Sequence, residues 1–98
     1  MNMPETHTFT AKRAGTTVFT DIGAQCLPAR RDISAFYGVP STKMYEVLCN
    51  GVFALQEQDQ LVSQLDATET YRVLGVATFK TIRLPHTELD VERVWGVA

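Results

Sequence analysis

The stretch His86-Thr87-Glu88-Leu89-Asp90-Val91-Glu92-Arg93-Val94-Trp95 decides the fold. In an extended chain, Thr87, Leu89, Val91, Arg93 and Trp95 share one face. His86, Glu88, Asp90, Glu92 and Val94 share the other. Three carboxylates opposite Leu, Val and Trp are the pattern of an antiparallel strand packed on one side and wetted on the other. Arg93 is the exception on the inner face, where a long stem can carry its charge outward.

Residues 71–79 (Tyr-Arg-Val-Leu-Gly-Val-Ala-Thr-Phe) precede this strand and are apolar on both faces, which predicts a central strand. Tyr71, Val73, Ala77 and Phe79 share a parity that reads as core. Residues 81–85 join the two strands as a loop.

Upstream, the chain is rich in Thr, Val and aromatic residues and is punctuated by Gly and Pro, which favours short strands. Residues 6–13 read as a strand, turned by Ala14-Gly15. Residues 16–20 read as a second strand or an extended arm, with Asp21 and Gly23 as loop punctuation. Residues 24–30 form another short strand, and Pro28 inside it marks an edge or an end. Residues 32–37 are the best helix candidate, with Asp32 as N-cap and Gly38 and Pro40 as stops. So short a helix needs a surface on which Ile33, Phe36 or Tyr37 can pack.

Residues 43–49 read as a strand. Asn50-Gly51 then signals a hairpin, and residues 52–55 are either the returning strand or a loop that delivers Gln56 to Asp59. Residues 60–65 give a strand and residues 66–69 a turn. Six or so short strands and one short helix in 98 residues predict a single domain, mainly β. The expected form is a small antiparallel β-barrel or rolled sheet with a long loop.

Function is constrained mostly by exclusion. The polar N-terminus is not a secretory signal, and no apolar run approaches the ~20 residues of a membrane helix. Cys26 and Cys49 are expected to be reduced thiols of a cytoplasmic product. His7 and His86 lie near opposite ends and sit in no motif, so neither a metal nor a cofactor nor enzymatic activity is expected. Glu88, Asp90 and Glu92 read as a solvated strand face rather than an acid pair.

A net charge of −2 argues against a free-standing nucleic-acid binder. The charge is uneven. Residues 1–43 carry +2, residues 44–71 carry −5 with no base, and residues 72–98 carry +1. Blocks of one sign can become surfaces that select and orient a partner.

Tyr71-Arg72-Val73-Leu74-Gly75-Val76, a loop, and His86-Thr87-Glu88-Leu89-Asp90-Val91-Glu92-Arg93-Val94 resemble the ending of the head–tail joining proteins of tailed bacteriophages. These are also called head-closure, stopper or head–tail adaptor proteins. The order of the earlier pieces is similar: a strand and turn over residues 6–23, Leu27-Pro28, an aromatic short helix, Tyr45-Glu46-Val47, and an acidic turn before Leu61 and Val62. That order favours a loop over residues 52–55. One departure stands out: where the family often has Gly before the acidic turn residue, this chain has Gln58.

The resemblance implies a virion protein assembled in the host cytoplasm. It would form a homo-oligomeric ring between the portal protein or an upper adaptor and the tail terminator or other tail proteins. DNA would pass through without sequence-specific binding, and no membrane would be involved. The alternatives are a tail terminator or another neck or tail ring protein and, from a different class, an OB-like nucleic-acid-binding module. The candidate interface residues are Arg30, Arg31, Ile33, Phe36, Tyr37, Lys43, Glu57 and Asp59. Arg30 and Arg31 would meet acidic residues of a neighbour, and the segment around Phe36 and Tyr37 would either dock on a partner or cover a barrel end.

Overall fold

A computed structural model describes residues 5–29, 35–80 and 84–94. Six antiparallel strands close into a barrel: β1 (His7–Arg13), β2 (Thr16–Pro28), β3 (Met44–Asn50), β4 (Gln60–Ser63), β5 (Thr70–Phe79) and β6 (His86–Val94). Their order around the barrel is β1-β2-β3-β6-β5-β4, closed by pairing of β1 with β4 from Phe9↔Ser63 to Lys12↔Gln60. Closure removes most of the open edges on which other chains can pair.

The expected alternation builds the core. Thr87, Leu89 and Val91 of β6 are buried, whereas Glu88 is exposed and Asp90 and Glu92 are half-exposed. Phe9, Ala11, Ile22, Ala24, Val47, Cys49, Leu61, Tyr71 and Val73 complete the interior. Tyr71 receives Phe9 and Tyr45 edge-on, with ring centroids 5.8 and 5.5 Å apart. Such contacts add specificity of orientation to the apolar area buried. Trp95 lies outside the described residues.

Three features differ from expectation. Asp21 and Gly23 do not interrupt β2, which runs unbroken for 13 residues. Register shifts against β1 absorb the irregularity instead, and Asp21 takes φ 57° within the bulged stretch. Lys43 belongs to a 3-10 turn at Ser41–Lys43 rather than to the following strand. Ala77 and Phe79 are exposed rather than core. The register shifts between Val73↔Val91 and Gly75↔Asp90, which inserts Leu74 as an extra residue. After it the inward parity passes to Val76, which packs on the core.

Ala14 and Gly15 both have positive φ, 51° and 82°, as a two-residue hairpin turn of matching twist requires. Asn50-Gly51 makes no hairpin. Residues 51–59 form a loop that crosses one barrel end. Thr87 Oγ1 donates to Gly51 O (3.0 Å) and accepts from Phe53 N (3.1 Å), and Leu55 is buried.

Gln58 has φ 76°, a left-handed conformation that favours Gly. A non-glycine residue there costs about 1 kcal/mol or more of strain, partly offset by the chain entropy that Gly gives up on folding. Gln58→Gly is therefore expected to raise the Tm by a few degrees in thermal unfolding monitored by circular dichroism. An unchanged or lowered Tm would show that the loop carries no strain at this position.

Candidate interaction surface

The connection from β2 to β3 positions the surface. Its described part, from residue 35 on, makes a helical turn over residues 35–37 that ends at Gly38, with φ 68° and its N–H donating to Ala35 O at 3.3 Å. This turn lies outside the barrel. Tyr37 reaches back over β5, and its hydroxyl donates to Asp90 on the outer face of β6 (3.0 Å). The ring end sits against Gly75, where a Cβ would leave it no room. Burial first, and then Asp90 and the charge of Glu57, push the Tyr37 phenol pKa up.

Phe36 is 74% exposed and touches Tyr37 edge-on at 5.0 Å. Neither ring covers a barrel end, the alternative to docking expected for this segment. Tyr37 covers the outer sheet, whereas Phe36 is left in water.

Beneath Tyr37 lies a half-open groove of about 380 Å³, lined by Tyr37, Glu46, Glu57, Asp90, Glu88 and the β5 segment Gly75-Val76-Ala77. It contains four carboxylates and, among the described residues, no basic side chain. Only Glu46 and Glu57 come from the acidic block of the sequence. The other two come from β6, which lies beside β3 in the barrel and pairs Glu46 with Asp90.

Asp66, Glu69 and Asp59 of the acidic block are engaged within the chain. Asp66 accepts from Thr68 N (3.0 Å) and Thr68 Oγ1 (2.7 Å), which fixes a turn and lowers its pKa. Glu69 accepts from His7 Nε2 (2.5 Å) and Tyr71 OH (2.7 Å). Asp59 is 1% exposed and accepts from Arg13 Nε (2.9 Å), Arg13 Nη2 (2.8 Å) and Gln56 N (2.8 Å). A buried carboxylate held in this way is no contact surface, so Asp59 leaves the interface set. It ties the loop to the β1–β2 turn instead.

Of the other expected interface residues, Glu57 and Lys43 are exposed. Lys43 borders a second depression with Arg72, Glu92, Arg93 and Val94. Arg30, Arg31 and Ile33 lie outside the described residues.

Two further clusters gave no sign in the sequence, the first because its members are far apart along the chain. In the first, Thr6 Oγ1 bonds His7 Nδ1 (2.8 Å) and accepts from Cys26 N (3.0 Å), and His7 continues to Glu69 and Tyr71. The Cys26 thiol is within hydrogen-bond reach of Tyr71, and burial pushes its pKa up, which disfavours a thiolate. Burial alone pushes the Cys49 thiol up to about 12. In the second cluster, both ring nitrogens of His86 face oxygens, Leu84 O and Glu88 Oε2, each at 2.9 Å. The Leu84 carbonyl first and Glu88 second raise its pKa, and Phe79 stacks on the ring at 4.7 Å.

Among the described residues, no group of three or more His, Cys, Asp or Glu side chains is placed to hold a metal ion. Among the same residues, no helix is long and apolar enough to cross a membrane. No protein-family model, curated protein or solved structure matches the chain.

Proposed function

We propose that the chain is a structural subunit of a tailed-bacteriophage neck, acting as a ring between portal and tail that extends the DNA channel and closes the head. The observation that carries this reading is the β2–β3 connection, which leaves a small closed barrel and holds an aromatic ring, Phe36, in water. A barrel of this size has little room for a private cleft. A subunit that works by repetition instead needs two different patches, so that a head-to-tail contact can close by rotation. The basic pair Arg30-Arg31 stands as one such patch in this proposal.

The resemblance in sequence falls on β5 and β6, which pair along nearly their whole lengths. An OB-like module gains little support, because the groove over β3, β6 and β5 is lined by carboxylates where phosphates would need bases. Labelling the protein in assembled particles and imaging the vertex tests the proposal. Density between the portal and the first tail ring is the expected result. Density at the tail tube end would make it a tail terminator, and absence from particles would overturn the reading.

A further inference from the structure

Closure of the barrel is incomplete at one place among the described residues. β4 pairs with β5 only from Gln60↔Arg72 to Val62↔Thr70. The last bonds on that side of β5 run from Val73 N to Asp59 O and from Gln58 N to Val73 O, both 2.8 Å. Beyond them the loop turns away across the barrel end, while β5 continues to Phe79 with β6 as its one described neighbour.

The register shift at Leu74 sets which groups this leaves open. Before it, Val73 bonds toward the β4 side, so Arg72 bonds toward β6. After it, Gly75, Ala77 and Phe79 stand opposite Asp90, Glu88 and His86 and take the bonds to β6. The N–H and C=O groups of Val76 and Thr78 therefore point to the open side.

Open edges are ordinarily guarded by charge, Pro or a bulge. Val76-Ala77-Thr78-Phe79 has no charge and no Pro, and the bulge lies before it. Exposed Lys80 follows it, and the groove beside its start is acidic. Glu57, beside Gln58 at the start of the edge, lines the groove together with Glu88 and Asp90 from across β5.

We propose that the open edge of β5 at Val76 and Thr78 is a strand-addition site for an extended, basic segment of a different protein. Backbone bonds to the edge supply binding, and the flanking carboxylates select Lys or Arg at alternate positions. The same carboxylates decide against a second copy. Edge-to-edge pairing of two β5 strands would put two such acidic grooves on one continuous sheet, and their like charge opposes the pairing. The inference concerns this edge alone and does not depend on a role in a phage neck.

The test uses two capped hexapeptides, Lys-Val-Lys-Val-Lys-Val and Glu-Val-Glu-Val-Glu-Val, added to the full chain. Amide hydrogen exchange is followed residue by residue by NMR. At saturation the basic peptide is expected to slow exchange at Val76 and Thr78 about tenfold or more, with β1 unchanged. The acidic peptide is expected to do nothing.

Glu57→Lys changes an exposed side chain and is expected to weaken the effect. Thr78→Pro removes one edge donor and is expected to abolish it. Because Glu57→Lys leaves the strands intact, it keeps the test decisive should Thr78→Pro fail to fold. No protection by the basic peptide, equal protection by both peptides, or indifference to Glu57→Lys would each overturn the proposal. So would concentration-dependent protection of the same amides without peptide, which would assign the edge to a second copy.

Discussion

Asp59→Ala is expected to lower stability by about 2 kcal/mol, a Tm drop of roughly 8–16 °C for a domain of this size. The carboxylate is almost fully buried and joins three parts of the chain. It accepts two bonds from Arg13 at the β1–β2 turn and one from Gln56 N, while its own backbone carbonyl accepts from Val73 N on β5. Arg13 Nη2 also donates to Ala54 O at 3.0 Å, so the same pair holds the middle of the loop. Removing the acid frees the loop that closes the barrel end and strips Arg13 of its charge partner.

The acid limb of the stability curve gives an independent check. The Arg13 hydrogen bonds hold the Asp59 pKa below its ordinary value, against the opposing effect of burial. A carboxyl whose folded pKa is depressed stabilises the fold fully above its unfolded pKa, near 3.9, and loses that contribution as pH falls through the folded value. Thermal unfolding between about pH 2 and pH 7 should therefore show a steeper acid loss in the natural chain than in Asp59→Asn. Equal slopes, or a Tm within two or three degrees for Asp59→Ala, would mean that the ion pair is dispensable.

The strands were legible where side-chain alternation is uninterrupted and illegible where the backbone inserts a residue. β6 alternates without a break, and its inner and outer rows fall where the pattern places them. In β5, Tyr71, Val73, Ala77 and Phe79 share the parity that reads as core, but the extra residue at Leu74 reverses it and turns Ala77 and Phe79 outward. A bulge of this kind is set by tertiary pairing and has no side-chain signature. Asp21 misleads for the opposite reason: it has the composition of a turn but sits inside a strand that bends around it.

The site was legible only in part. Glu57 and Asp59 are two residues apart in an acidic loop and look alike in sequence. One lines the groove and the other is buried, because the partner that allows Asp59 to be buried, Arg13, lies 46 positions away. The groove itself unites β3, β5, β6 and two connections. No single segment carries its pattern, whereas the local helix signal around Phe36 and Tyr37 was readable.

Under the proposed role in a phage neck, Phe36→Ala is expected to leave the Tm within about one or two degrees of the natural value and still prevent attachment of heads to tails. The two halves of that expectation rest on the same geometry. With 74% of its surface in water, the Phe36 ring loses little on truncation in the free subunit. Its one described ring contact is with Tyr37, which stays in place through Asp90 and the space above Gly75. An aromatic side chain held in water on an anchored turn is prepared to enter a pocket on another protein, where such an anchor contributes about 2 kcal/mol or more to binding. In the proposed ring, that would be roughly a thirtyfold loss per contact, multiplied around the ring.

Tyr37→Phe is the necessary comparison, since it removes the hydroxyl bond to Asp90 while keeping both rings. It should loosen the turn and reduce attachment less than Phe36→Ala does. Complementation of a phage lacking the gene, scored by infectious titre and by counting untailed heads, reads both variants against an unchanged melting curve. Normal titres from Phe36→Ala would mean that the ring docks on nothing. A large fall in Tm would instead place Phe36 among the groups that hold the fold, against its exposure. Only the combination of intact stability and untailed heads separates a docking residue from a structural one, because truncating Tyr37 would disturb both at once.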